Sequence, residues 1–289
     1  MCRFTFYLGA PIRLNTLLLE PAHSLIRQSS HSLERAEPLN GDGFGVGWYA
    51  QGHSPVPAVF RSITPAWNNR NLHNLARVVA SDCVMAHVRA ASRSSVVNDA
   101  NCHPFRYQDL LCMHNGDIGQ FKKVRRRMLQ SVSDEAFNNV YGSTDTEHFF
   151  AVFIDAWAAL ADVEEPSERL ATALEHAIAR VVKIVREYGD GAPSYLNVVV
   201  TDGQHAVASR YVDGNPGGAL SLYYHVGNLY PVEYRRRASD PVGAQPPPAV
   251  LVSSERLTSS DAWREVPENH MIILNRAQAP RVRACSVAA

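Results

Sequence analysis

Two long helical periods in the middle of the chain, with β-type segments on both sides, limit the folds open to it. DTEHFFAVFIDAWAAL (145–160) and SERLATALEHAIARVVKIVREY (167–188) carry apolar residues at three- and four-residue spacing. The second follows Pro166, takes Ser167 as its expected N-cap and stops at Gly189, which suits a C-cap. Before them lie CRFTFYLG (2–9), FGVGWYA (44–50), AVFRS (58–62), CVMAHVRAAS (83–92) and LLCMHN (110–115). After them come SYLNVVVTDG, QHAVASRYV, ALSLYYHVG, AVLVSSERL and HMIILN, with the last strand near 274. These short runs are rich in β-formers and bounded by turn residues, so they read as strands, with 44–50 and 58–62 as a pair. The order strands, helices, strands favours a sheet-on-sheet core covered by helices over alternating βαβ units. Pro21 breaks any single helix across 16–33.

Bulk properties exclude several classes. The 289 residues carry 28 basic and 28 acidic side chains, so no global field recruits nucleic acid or an anionic membrane. The longest apolar stretch, 149–163, contains Asp155 and Asp162 and reads as a buried helix, not a membrane span. Arg3 and Arg13 flank only a short apolar stretch with no small-residue cleavage site, which argues against a signal peptide. Five cysteines, at 2, 83, 102, 112 and 285, form no disulfide framework. A reducing, cytoplasmic setting is the expectation.

Cys2 is unusual by address. Initiator methionine is generally trimmed before a small residue, which would leave Cys2 with a thiol and a free α-amine. The amine titrates near ~7.7–8.0 and the thiol near ~8.5. A base and a nucleophile would then share one residue. Position alone leaves open the alternative of a plain strand cysteine.

Polar signatures sit at the edges of the expected strands: NGDGFGVGWY (40–49), AHVRAAS (86–92), NCHPF (101–105) and HNGDI (114–118), with GSTDTEH (142–148) opening the first long helix. Together with MCRF, this set resembles the class II glutamine amidotransferases, a family of N-terminal nucleophile hydrolases. Within it the chain is most similar to the stand-alone EgtC/YafJ-like branch, which includes ergothioneine-pathway amidohydrolases and a yeast subunit that helps degrade glutathione. LLLEPAHSLIRQS and SSERLT (253–258) carry the resemblance beyond the shorter motifs.

The resemblance implies an α+β fold, a four-layer αββα sandwich, with 1–289 as a single amidotransferase-type domain. It implies Cys2 as nucleophile, forming a γ-glutamyl thioester, and no cofactor or metal. Asn115 and Gly116 match the oxyanion pair, one through its side-chain amide and the other through its backbone N–H. Arg89 matches the arginine that grips the substrate α-carboxylate, Asp145 the acid that takes the α-ammonium, and Ser92 a serine or threonine near the substrate. Asp42, Gly43 and Gly45 are expected to bring backbone close to Cys2 as architecture, and His103 to orient a loop. Roles for His87 and His114 stay open.

The implied substrate is a small γ-glutamyl compound. Nothing of synthase length follows the last expected strand, so the chain either hydrolyses a γ-glutamyl amide itself, as an EgtC-like enzyme does, or feeds a separate synthase or peptidase subunit. Homo-oligomerisation is compatible with either. Selection of the leaving amine is expected to come from 16–40 and 213–240.

Two readings of another class compete. Cys83, His87, Cys102, His103, Cys112 and His114 crowd together in sequence, and Cys112 and His114 would share a strand face, though no usual zinc spacing is present. KKVRRRM (122–128) and YRRR (234–237) could serve a nucleic-acid binder, yet such runs are usually solvated helix faces or loops.

Overall fold

Alternation along the strands decides which face each sheet buries. The computed structural model describes residues 2–32, 39–90, 96–130, 132–227 and 248–287. Its strands are β1 (Arg3–Arg13), β2 (Phe44–Trp48), β3 (Ala58–Ser62), β4 (Ala80–Val88), β5 (Phe105–Tyr107), β6 (Leu110–Asp117), β7 (Ser194–Thr201), β8 (His205–Arg210), β9 (Val212–Asp213), β10 (Tyr223–Val226), β11 (Val250–Ser253), β12 (Arg264–Glu265), β13 (His270–Asn275) and β14 (Arg281–Ala284). The helices are α1 (Leu14–Leu18), α2 (Leu25–Gln28), α3 (Arg70–Val78), α4 (Phe121–Gln130), α5 (Asp134–Asn138), α6 (Asp145–Ala158) and α7 (Pro166–Tyr188).

One sheet runs β12-β10-β11-β1-β4-β2-β3 and the other β14-β13-β8-β7-β6-β5, with β9 beside β7. Phe4, Phe6 and Leu8 of β1, Cys83 and Met85 of β4, and Leu111 and Met113 of β6 meet in the core between the sheets. The alternate residues point outward. Tyr7, Val84 and Ala86 pack with Leu14, Leu17 and Leu72 of α1 and α3 on one outer face. Leu110 and Cys112 pack under α6 and α7 on the other. The result is the expected αββα order of layers.

The two long helices and the paired strands β2 and β3 form where the sequence places them, and Pro21 separates α1 from α2. Three details differ. The cap of α7 is Glu165, whose carboxylate accepts from Glu168 N–H, with Pro166 in the first turn; Ser167 is already inside the helix. Proline needs no N–H partner at that position, so the cap moves to the residue before it. Strand β1 continues past Gly9 to Arg13, because its register against β4 shifts between Leu8 and Ile12 and absorbs the Gly-Ala-Pro stretch. A further strand, β14, follows the one near 274 and pairs with it. Its exposed Arg-Val-Arg-Ala sequence lacks the apolar run by which the others were recognisable. Among the described residues no helix is long and apolar enough to cross a membrane.

Antiparallel pairing of β1 with β4 sets the position of everything that follows. Arg3 lies opposite Val88, so Cys2 and Arg89 are the next residues at that end. Arg3 is fully buried, and its Nε donates to Glu255 Oε1 at 2.6 Å. Its guanidinium also donates to Asn40 Oδ1, and Ser32 Oγ donates to the same Glu255 oxygen at 2.7 Å. Removing one partner of such a pair strands the other charge, at a cost of about 3–5 kcal/mol. Arg3→Met should therefore lower unfolding stability by about that amount in a urea titration. The double variant Arg3→Met/Glu255→Leu should recover part of the loss, and an unchanged midpoint in the single variant would contradict this placement.

Candidate active site

Cys2, Arg89, Gly116 and Asp145 line one cleft of about 670 Å³. They arrive from four elements: the start of β1, the end of β4, the end of β6 and the first turn of α6. Met1 and Ser92 lie outside the described residues.

The Cys2 thiol donates to the carbonyl of Ala90 at 3.6 Å. Burial pushes its pKa up, while the nearby Arg89 charge acts in the opposite direction. The resting sulfur is therefore a thiol, and attack requires a base to remove its proton. Arg89 is buried, and its backbone is held by the turn before β2. Its N–H donates to the Gly43 carbonyl at 2.8 Å, and Asp42 N–H donates to the Arg89 carbonyl at 3.2 Å. The guanidinium donates to the Val96 carbonyl at 3.2 Å. The Asp-Gly turn thus fixes Arg89. Gly45 serves a different neighbour, the His103 carbonyl, which a Cβ there would overlap.

Asn115 and Gly116 close β6. Asn115 is fully buried, and its amide nitrogen donates to Ser254 Oγ at 3.3 Å. Ser254 Oγ also accepts the Phe4 N–H at 3.2 Å. The oxyanion candidate is thereby tied to the strand that carries Cys2. Gly116 lines the cleft, and a Cβ there would run into the Tyr195 carbonyl of β7 and the His114 ring. Only glycine lets the two strands approach that closely.

Asp145 caps two backbone donors, accepting from Ile118 N–H at 3.1 Å and Thr146 N–H at 2.9 Å. It stands in the first turn of α6, where the helix dipole favours a carboxylate. Asp117, on the same cleft, has its pKa pushed up by burial and then by the Asp145 charge. The cleft therefore offers two neighbouring carboxylates at one end and the Arg89 guanidinium as a separate cation.

Beneath these groups lies a chain of imidazoles joined by Thr146. His103 Nε2 is 2.9 Å from Thr146 Oγ1, His114 Nδ1 is 3.1 Å from the same oxygen, and His114 Nε2 is 2.8 Å from the Tyr195 carbonyl. His87 Nε2 is 3.2 Å from the His114 carbonyl, and its ring stacks on His103 at 4.0 Å. A carbonyl can only accept, so His114 and His87 each carry a proton on Nε2. His114 Nδ1 lies closer to the Thr146 hydroxyl than Asp145 Oδ1 does, at 3.1 Å against 3.5 Å. These contacts tie the strand bearing Asn115 to the helix bearing Asp145.

The three imidazoles of the Cys- and His-rich stretch meet, but Cys83 packs between the sheets and Cys112 on the helix side, in different cores. Among the described residues no group of three His, Cys, Asp or Glu side chains is placed to hold a metal ion. KKVRRRM lies on α4, with Val124 and Met128 buried and the basic residues outside; YRRR falls outside the described residues.

With the geometry in place, comparison with known proteins decides the family. A family model described as glutamine amidotransferases class-II matches residues 28–287. The chain belongs to the class II glutamine amidotransferases. It is 40% identical to a probable glutamine amidotransferase, DUG3, of Saccharomyces cerevisiae, over 96% of this chain and 82% of the relative. It is 25% identical to a gamma-glutamyl-hercynylcysteine sulfoxide hydrolase of Mycobacterium tuberculosis, over 97% of this chain and all of that one. A solved class-II domain protein from Silicibacter pomeroyi superposes with a TM-score of 0.66 at 26% identity, covering 98% of this chain and 99% of that chain.

Of the expected site residues, Cys2, Arg89, Gly116 and Asp145 thus line one cleft, and Asn115 is buried next to Gly116 outside that lining. Sequence reasoning passed over Asp117, Thr146, Ser254 and Glu255, although HNGDI, STDTEH and SSERLT contain them. None of these residue types signals a partner by itself.

Burial, reinforced by the Arg89 charge, pushes the His87 pKa down to about 3, and burial likewise holds His103 well below its ordinary value. An unfolded imidazole titrates near ~6.5. The stability these neutral rings contribute is therefore complete above that pH and is lost as pH falls towards the folded-state values. Urea unfolding of the wild type should weaken between pH 7.5 and 5. His87→Gln, which keeps a donor but cannot titrate, should flatten that dependence by up to about 1.4 kcal/mol per pH unit. An equal slope in both proteins would contradict a neutral buried His87.

Proposed function

We propose that the chain hydrolyses γ-glutamyl amides through Cys2, with Met1 removed and the freed α-amine as base. The observation that carries this reading is that the Cys2 thiol, Arg89, Gly116 and Asp145 line one cleft. The α-amine takes the thiol proton while sulfur bonds to the substrate Cδ. Asn115 Nδ2 and the Gly116 N–H receive the developing oxyanion, where one such donor is worth about 2.7–4 kcal/mol of barrier. The Cδ–N bond then breaks, and the leaving amine departs with the proton held by the base. Water attacks the thioester, releasing glutamate and restoring the thiol. Arg89 pairs with the α-carboxylate through its planar fork, and Asp145, with Asp117 beside it, takes the α-ammonium.

The 25% identity to mycobacterial γ-glutamyl hydrolases supports the hydrolytic form, and with it an EgtC-like, ergothioneine-type role. The 40% identity to the yeast amidotransferase supports a second form, in which the same chemistry releases ammonia or amine to a separate subunit. All five cysteines are free thiols, which suits a reducing, cytoplasmic setting.

Steady-state kinetics with glutamine and a γ-glutamyl dipeptide tests the roles. Cys2→Ala should be inactive on both. Asn115→Ala should lose about 10²–10³ in kcat with KM little changed, and Asp145→Asn should act mainly on KM. Hydrolysis of either substrate by Cys2→Ala at the wild-type rate would overturn the proposal. Dependence of glutamine turnover on an added protein would favour the second form.

A further inference from the structure

The cleft holds more charge than a γ-glutamyl group requires. Arg89 accounts for its single carboxylate and Asp145 for its ammonium, yet Lys122 and Arg125 of α4 also line the cleft. They stand three residues apart and so share a helix face. Two of their neighbours on α4 are committed elsewhere, Lys123 Nζ to Asp190 and Arg127 over the Tyr188 ring at 4.7 Å, and Arg126 lines a different groove. Lys122 and Arg125 have no acidic or hydrogen-bonding partner among the described residues. Of the cations on this helix, Lys122, Arg125 and Arg126 have no such partner among the described residues, and of these three Lys122 and Arg125 line the cleft.

The cleft also runs on past Arg125. Arg125 and Ser143 line a second, adjoining groove of about 520 Å³ together with Leu129, Phe137 and Val140. Space therefore continues beyond the part a glutamyl group would fill. No described residue of 16–40 or 213–240, the segments expected to select the leaving amine, lines the cleft, and 33–38 and 228–240 lie outside the described residues.

We propose that Lys122 and Arg125 form a leaving-group subsite for a carboxylate, so that the preferred substrate is a γ-glutamyl amide whose amine half is an amino acid. This rests on the hydrolase reading above and adds to it the class of the leaving amine. Lys122 and Arg125 are exposed cations lining the cleft, and they favour an anionic leaving group over a neutral one of the same shape. Ammonia, from glutamine, reaches neither of them.

The test compares kcat/KM for γ-glutamylglycine, γ-glutamylglycinamide and glutamine, in the wild type and in Lys122→Gln/Arg125→Gln. The wild type should prefer γ-glutamylglycine to its uncharged amide by about tenfold or more, as expected for charge-assisted hydrogen bonds. That preference should shrink as salt is raised. The double variant should lose the preference, with γ-glutamylglycine falling to the level of the amide while the ratio of amide to glutamine stays as in the wild type. Equal use of the charged and uncharged dipeptides by the wild type would overturn the subsite alone. So would an equal loss on all three substrates in the variant, which would place these cations on the glutamyl half. Failure of the wild type to turn over any of the three would overturn the hydrolase reading as well.

Discussion

The pairing of the first strand with the end of the fourth is the constraint on which the site depends. Antiparallel register puts Arg3 opposite Val88 and so sets Cys2 at the same end as Arg89. A slip of one residue would turn the nucleophile to the other face of the sheet. The buried Arg3–Glu255 pair and the Ser254 hydroxyl, which accepts from Phe4 N–H and from the Asn115 amide, pin that register from β11. A buried ion pair is weak evidence for stability, but as a device for fixing register it is well suited. Here it holds Cys2 and Asn115, the proposed nucleophile and oxyanion donor, in one frame.

Below that frame, electrostatics is kept simple by burial. Burial keeps His87 and His103 neutral, so neither places a cation beneath Arg89, and the Thr146 hydroxyl sits between the His103 and His114 rings. Histidines at a hydrolytic site invite assignment as proton carriers. These two are enclosed and have proton affinities pushed far below neutral pH. His87 ties β4 to the His114 carbonyl of β6, and His103 ties the segment before β5 to Thr146 of α6. In the proposed reaction the protons that move belong to the residue carrying the thiol, whose sulfur burial keeps protonated until the α-amine takes its proton.

Much of the architecture was legible because its signals are local. Strand alternation and helical period identify the two sheets and α6 and α7, and the motif residues fall at strand ends where a cleft between sheets must open. What was not legible depends on contacts across the chain. Glu255 meets Arg3 across 252 positions, and nothing in SSERLT alone announces a buried ion pair. The KKVRRR run looked uniform in sequence. Only the phase of α4 and the position of the cleft separate Lys122 and Arg125 from Lys123 and Arg127. The cap of α7 was readable in principle, since proline in the first turn leaves the preceding residue to cap.

The central claim is that the processed chain begins at Cys2 and carries the glutamyl group on that sulfur during turnover. Intact-protein mass spectrometry of an acid-quenched reaction, with peptide mapping of the N-terminal fragment, tests it most directly. The account predicts an active chain lacking Met1, with one γ-glutamyl group on Cys2 that hydroxylamine removes. An active chain that retains Met1, or an acyl group mapped to any other residue, would contradict it.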